Sequence, residues 1–340
     1  MTGYEEVDYA HAVARVRSLE TGLLRPADLE RLLEAPSIQE AWKLARELVG
    51  IAENTPVSEF ETALGQELAR FFAYVASFLP DRSVPNWFYM RHDYHNLKVL
   101  MKELWLGEPA DTGAYSLVGN YPVEELRRQV LLMDPPGAED DPEVPSPWRG
   151  RLPRPYRTAM AAARSAWESS ADPQAIDVVL DRFLFEALEV EARKLGPTIH
   201  RVSQCLVDLA NLKVLLRSGR LGKNRAFLRL AVLPGGSIPA PRWLDLLGAS
   251  VDRIAQVAGE PYAAMLYAAN GDPGTVERLG DNYVTAVLKE ARYVAMGREP
   301  VLALLWAKDN DIRNLRIVLS GKLNGVPAPA IRERLRDSYV

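Results

Sequence analysis

The sequence predicts an all-α chain built from three related helical domains. Three observations carry that expectation. Apolar residues recur three or four positions apart along most of the chain, the spacing of one helix face. Strand signals are scarce. One helical pattern also occurs three times: Asp93-x-x-Asn96-Leu97-Lys98-Val99-Leu100, then Asp208-x-x-Asn211-Leu212-Lys213-Val214-Leu215, then Asp311-x-x-Asn314-Leu315-Arg316-Ile317-Val318.

The elements follow in order. Tyr9, Val13 and Val16 form one stripe of a first helix, with Arg15, Arg17 and Glu20 off it. Pro26 opens a second helix through Leu29, Leu32 and Leu33, because proline fits the first helical turn, where no N–H is needed. Ser37 caps a third, with Glu40 three residues on, the pattern of a capping box. Further helical stretches run over 59–79, 173–195, 240–247 and 276–296. Residues 134–155 break the pattern with seven prolines in 22 residues and the acidic run Glu139-Asp140-Asp141. Proline removes donors and like charges resist collapse, so this stretch is expected to be an exposed loop.

The repeat sets the domain boundaries. Its aspartates lie 115 and 103 residues apart, and a glycine follows each by 14: Gly107, Gly222 and Gly325. Pro109 and Pro327 come two residues later in two copies. Glycine there fits a left-handed C-terminal cap, and proline stops the helix from continuing. The expected domains are 1–110, 111–222 (carrying the loop 134–155) and 223–340. Upstream, Asp181-Arg182-Phe183 and Asp281-Asn282-Tyr283 sit 27 and 30 residues before their aspartates.

Turning by about 100° per residue from Asp at zero puts Asn at about 300° and Leu at about 40°. Asp and Asn therefore fall inside the apolar arc, flanked by Lys or Arg. Buried, they need partners or they cost several kcal/mol. The natural partners are exposed N–H groups of a neighbouring helix or an arginine, and Arg15 or Arg17 is the candidate for the first copy. A packing lock is the favoured reading over a ligand or metal site. Buried polar networks specify packing, and a threefold ligand site would be unusual.

Other chemistry is weighed and set aside. His92 and His95 beside Asp93 could suggest a metal-dependent helical enzyme. The matching positions are Val207 and Ala210, then Asn310 and Arg313, and one helix offers too few ligands. Pro234-Gly235-Gly236-Ser237 lacks the spacing of a phosphate loop and reads as the turn before a helix. Asp140-Asp141 lies in the proline-rich stretch, off any helix. Cys205, three residues before Asp208, reads as a small core residue. No catalytic set, metal or cofactor is expected.

The bulk numbers narrow the class. A net charge of −4 over 340 residues gives no support for nucleic-acid binding. One cysteine excludes an internal disulfide and suits a reducing compartment. The start, Met-Thr-Gly-Tyr-Glu-Glu, does not read as a signal peptide. Apolar runs such as 301–307 fall far short of the ~18 residues that span a bilayer. The expectation is a cytoplasmic protein without direct lipid insertion.

Taken together, several segments resemble the C subunit of the bacterial and archaeal V-type (A-type) ATPases, the counterpart of the eukaryotic d subunit. They are the opening from Tyr9 to Glu20 with Leu23-Leu24, the three Asp-x-x-Asn-Leu helices, the Pro234-Gly235-Gly236 turn, and the ending Ile331 to Leu335 with Tyr339-Val340. The resemblance covers nearly the whole chain. It implies three domains about a pseudo-threefold axis, arranged as a funnel. It implies a non-catalytic component, peripheral to the membrane, that caps the proteolipid ring, receives the rotor-shaft subunits D and F, and passes torque between ATP hydrolysis or synthesis and ion transport. Lys98, Lys213 and Arg316, which flank the motif helices, are candidates for facing a partner. A helical repeat scaffold of some other complex is the alternative.

Overall fold

The computed structural model describes residues 6–132 and 152–340, and every regular element among them is helical. The loop expected over 134–155 lies outside the described residues except for its last four, and the helix that follows begins at Arg154.

The chain runs through α1 (Ala10–Glu20), α2 (Pro26–Glu34), α3 (Ile38–Val49), α4 (Phe60–Ser77), α5 (Ser83–Leu106), α6 (Val123–Leu131), α7 (Arg154–Ser170) and α8 (Pro173–Leu195). It continues through α9 (Pro197–Arg220), α10 (Arg225–Ala231), α11 (Ala240–Leu244), α12 (Val251–Ala258), α13 (Tyr262–Ala268), α14 (Pro273–Lys289), α15 (Glu299–Leu323) and α16 (Ala328–Arg332). Local chemistry sets many of the ends. The Ser37 hydroxyl accepts the Glu40 N–H at 3.2 Å and starts α3. The Asn224 side chain does the same for Phe227 at 2.9 Å, and Asp272 for Thr275 at 2.8 Å. The three glycines that follow the motif, Gly107, Gly222 and Gly325, have φ of +71°, +61° and +64°, which only glycine adopts without strain.

Contacts divide the chain into two compact units. One holds the residues up to Phe88, Leu195–Val202 and Ala249–Val340; the other holds Tyr89–Lys194 and Ser203–Gly248.

The first unit is organised around α15. This helix packs on α1, α2, α3, α4, α14 and α16. Its apolar run Val301 to Ala307 is buried on every side, the signature of a central core helix. At its far end Gly321 lets α16 close in, because a Cβ there would stand 2.7 Å from Ile331. The stripe Tyr9, Val13 and Val16 and the triplet Leu29, Leu32 and Leu33 are likewise buried. At roughly 1.5–3 kcal/mol per fully buried large apolar side chain, this core dominates the unit's stability.

In the second unit the buried side chains come from α5 (Leu97, Leu100, Met101), α7 (Tyr156, Met160), α8 (Ile176, Leu180), α9 (Val207, Leu212) and α11 (Trp243). Lys98 and Lys102, one turn apart on α5, pair with Asp181 and Asp177 on α8 at 2.5 and 2.6 Å. The ladder fixes the register of the two helices.

Candidate functional site

The three motif helices α5, α9 and α15 each carry the same clamp. Asparagine grips a following segment by both faces of one residue's backbone. The Asn96 amide donates to the Ser116 carbonyl at 2.9 Å and accepts the Ser116 N–H at 2.8 Å. Asn211 does this with Leu233 at 2.9 and 2.7 Å, and Asn314 with Arg336 at 3.0 and 2.9 Å. A buried carboxamide thus has its chief donor and acceptor satisfied by backbone, which removes most of its burial cost.

The aspartate grips a second segment, always two residues before a proline that introduces a short helix. The fully buried Asp93 accepts the Asn120 and Tyr121 N–H groups at 2.8 and 3.3 Å, the first of them two residues before Pro122 and α6. It also takes the Asn120 side chain at 2.8 Å and the Tyr156 hydroxyl of α7 at 2.7 Å. Asp208 accepts the Ser237 N–H at 2.9 Å, the Ser237 hydroxyl at 2.5 Å and the Ile238 N–H at 3.2 Å, before Pro239 and α11. Asp311 accepts the Leu24 N–H at 2.9 Å, before Pro26 and α2. The third aspartate therefore ties the chain's two ends together, across 287 residues.

Glycines make two of these approaches possible. A Cβ on Gly119 would lie 2.6 Å from Asp93 Oδ1, and one on Gly236 would run into Asp208 Oδ1. The Pro234-Gly235-Gly236-Ser237 turn thus cradles a carboxylate of its own chain, which accounts for glycine at that place.

Burial governs the electrostatics. Desolvation pushes Asp93 up to about 6, against the pull of the Tyr156 and Asn120 hydrogen bonds. Desolvation lifts Asp311 further, to about 7, against the Leu24 N–H and the charge of Lys308. Tyr156 is raised by burial and by the charge and hydrogen bond of Asp93.

The residues beside the motif do other work. His92, half-buried, places Nδ1 2.9 Å from the Ser116 hydroxyl, and the exposed His95 places Nε2 2.8 Å from the Ala114 carbonyl. Both histidines brace the segment that Asn96 holds. Among the described residues, no group of three or more His, Cys, Asp or Glu side chains is placed to hold a metal ion. Cys205 is buried. Lys98 is spent on Asp181, Arg316 pairs with Glu61 at 3.1 Å, and Lys213 is half-buried on α9.

Neither Arg15 nor Arg17 serves Asp93, contrary to the expectation from sequence. Arg15 lies over the Phe78 ring at 4.6 Å and donates to the Tyr74 hydroxyl at 2.7 Å. Arg17 is held by Glu20 at 2.8 Å and donates to the Ala291 and Val294 carbonyls at 2.7 and 3.0 Å. Backbone N–H groups satisfy the carboxylate without a second buried charge to desolvate, which is the cheaper solution.

The geometry is that of an all-helical scaffold with polar joints, and comparison with known proteins agrees. The family model described as the ATP synthase (C/AC39) subunit matches residues 12–334.

The chain belongs to this family.

It is 24% identical over 346 residues to the C subunit of the V-type sodium ATPase of Enterococcus hirae, an alignment covering 98% of this chain and 99% of that one. It is 24% identical over 359 residues to the C subunit of the A-type ATP synthase of Methanocaldococcus jannaschii, covering 96% and 86%. A third relative, the corresponding A-type protein of Methanothermobacter thermautotrophicus, is 25% identical over 348 residues, covering 96% and 87%. The C/AC39 subunit is a non-catalytic component of its ATPase complex. No helix among the described residues is long and apolar enough to cross a membrane.

Sequence reasoning missed the far side of each clamp. One signal could have found it. Asn120-Tyr121-Pro122, Ser237-Ile238-Pro239 and Leu24-Arg25-Pro26 share a proline two residues after the N–H that the aspartate receives. Proline forces the residue before it into extended backbone, so the N–H groups just upstream are turned out of any helix and need an acceptor.

Proposed function

We propose that this chain is the central-stalk component of a rotary V/A-type ATPase, capping the membrane proteolipid ring and receiving the rotor-shaft subunits D and F. In this role it transmits torque between the shaft and the ring, coupling ATP hydrolysis or synthesis to ion transport, and it sits peripheral to the membrane. The single observation that carries the reading is the family match over residues 12–334. The clamps support it. A torque coupler has to pass force without yielding. Each motif helix holds incoming chain by backbone hydrogen bonds on buried side chains, so helices joined this way move together. The threefold recurrence of the clamp also favours three related domains, 1–110, 111–222 and 223–340, about a pseudo-threefold axis. A permanent assembly calls for docking surfaces above about 2,000 Å² in total. Lys98, Lys213 and Arg316 are proposed to lie along them.

Affinity purification of the tagged chain from its native membranes tests the assignment. The chain is expected to bring down the D and F shaft proteins and the proteolipid in stoichiometric amounts. Recovery of the catalytic subunits without either shaft or ring would sink the capping role. Recovery of an unrelated complex would favour a general helical scaffold.

A further inference from the structure

We infer that the join between Leu24 and α15 is a proton-controlled joint, closed while Asp311 carries a proton and loosened when that carboxyl ionises. The geometry sets this clamp apart from the other two. Asp93 receives two N–H groups, an amide and a hydroxyl. Asp208 receives two N–H groups and a hydroxyl. Among the described residues, Asp311 Oδ2 receives the Leu24 N–H alone, and the side chain is 3% exposed, too enclosed for water to substitute for missing donors. Two differences cause this: the Arg25 N–H, in the place of the Tyr121 and Ile238 N–H groups, donates to Asp28 at 3.0 Å instead, and one side chain differs. Leu24 stands where the other incoming segments place Asn120 and Ser237, so the polar group that would complete the shell is an apolar one.

The charges around it do not repair this. Lys308, one turn back on α15, favours the ionised form, but it is shared with the buried Glu67 of α4 at 3.7 Å. Asp28 on α2 opposes ionisation. On α1, Arg17 and Glu20 are bound to each other; on α14, Asp281 is taken by Arg313 and Arg336; on α16, Arg332 is taken by Glu30. The charged residues of α3 point away: Glu40, Lys43 and Glu47 are exposed, and Arg46 donates to the Ala52 and Thr55 carbonyls. Protonation removes the buried charge while the carboxyl keeps an oxygen for the Leu24 N–H. Ionisation leaves a charge with one donor, which favours an opened joint where water reaches it.

The sign follows from the titration. Desolvation puts the folded-state value at about 7, above the ordinary 3.8, so the closed joint holds a proton that the open one has lost over that interval. Closure is therefore favoured as pH falls toward 4 and weakens as pH rises through 7. Between pH 6 and pH 8 the opening equilibrium is expected to rise about tenfold.

Hydrogen exchange of the full chain, read at single amides by mass spectrometry, tests this. The internal references are the Leu233 and Arg336 amides, which are held by the untitratable Asn211 and Asn314. Protection at Leu24, taken as a ratio to these references, is expected to drop about tenfold from pH 6 to pH 8. Asp311→Asn is expected to make the ratio independent of pH. A constant ratio in the unaltered chain overturns the proposal, and so does an equal drop in Asp311→Asn. If the variant fails to fold, the ratio in the unaltered chain decides alone. The measurement uses the isolated chain, so its outcome is independent of the role proposed in the ATPase complex.

Discussion

The clamp on α5 and the clamp on α15 start from one motif and end with different strength. Both bury an aspartate and an asparagine, both end in a glycine cap, and both hold the backbone just before a proline. On α5 the carboxylate lies in a full shell that includes Tyr156, whose ring packs at a tilt against Tyr94 and meets Tyr121 edge-on at 5.3 Å. On α15 one N–H does the work of four donors. The difference teaches that a buried polar motif fixes where a joint forms, while the side chains of the incoming segment fix how strongly it holds. The α15 clamp makes up part of the deficit with apolar burial: Leu23 and Leu24 are 4% and 2% exposed.

Substitutions at the two clamps measure the comparison. The largest effect is expected for Asp93→Ala, which takes the acceptor from four donors, the buried Tyr156 hydroxyl among them, and should cost about 3–5 kcal/mol in urea unfolding of the full chain. Asp311→Ala should cost less than half as much, since it takes the acceptor from one donor only. Equal losses at the two positions would show that the number of donors does not set the strength of a clamp.

Gly236→Ala comes next. The added methyl collides with Asp208 Oδ1, so the turn must shift, at about 1–3 kcal/mol. Gly222, past the end of α9, has open space around it, and alanine there would suffer only from its positive φ, at about 1 kcal/mol. If Gly222→Ala proved the costlier of the two, close approach to Asp208 would not be why glycine stands at 236.

The smallest effect is expected at Lys98→Met. The Lys98–Asp181 pair is partly exposed and has Lys102–Asp177 beside it, so the loss should stay within about 1 kcal/mol and shrink in added salt. A salt-independent loss of several kcal/mol would mean that the α5–α8 ladder, and not the Asp93 clamp, holds this part of the second unit.

Sequence alone determined the helical class, the caps and the buried side of each motif helix, because these depend on neighbours within one turn. Periodicity placed Asp93, Asn96, Asp208, Asn211, Asp311 and Asn314 inward, and all six are buried. Proline and serine marked the starts of α2 and α3, and glycine marked the ends of the motif helices. The partners of those inward groups were decided by the tertiary structure. A buried carboxylate needs donors, but helical spacing does not say which N–H will arrive, so an arginine looked as suitable as a peptide group. Nor could it show that Asp311 is met by Leu24, 287 positions away. That contact exists because α1, α2 and α15 share a core, and burying their apolar stripes together brings the Leu24 N–H, just ahead of α2, to the Asp311 carboxylate.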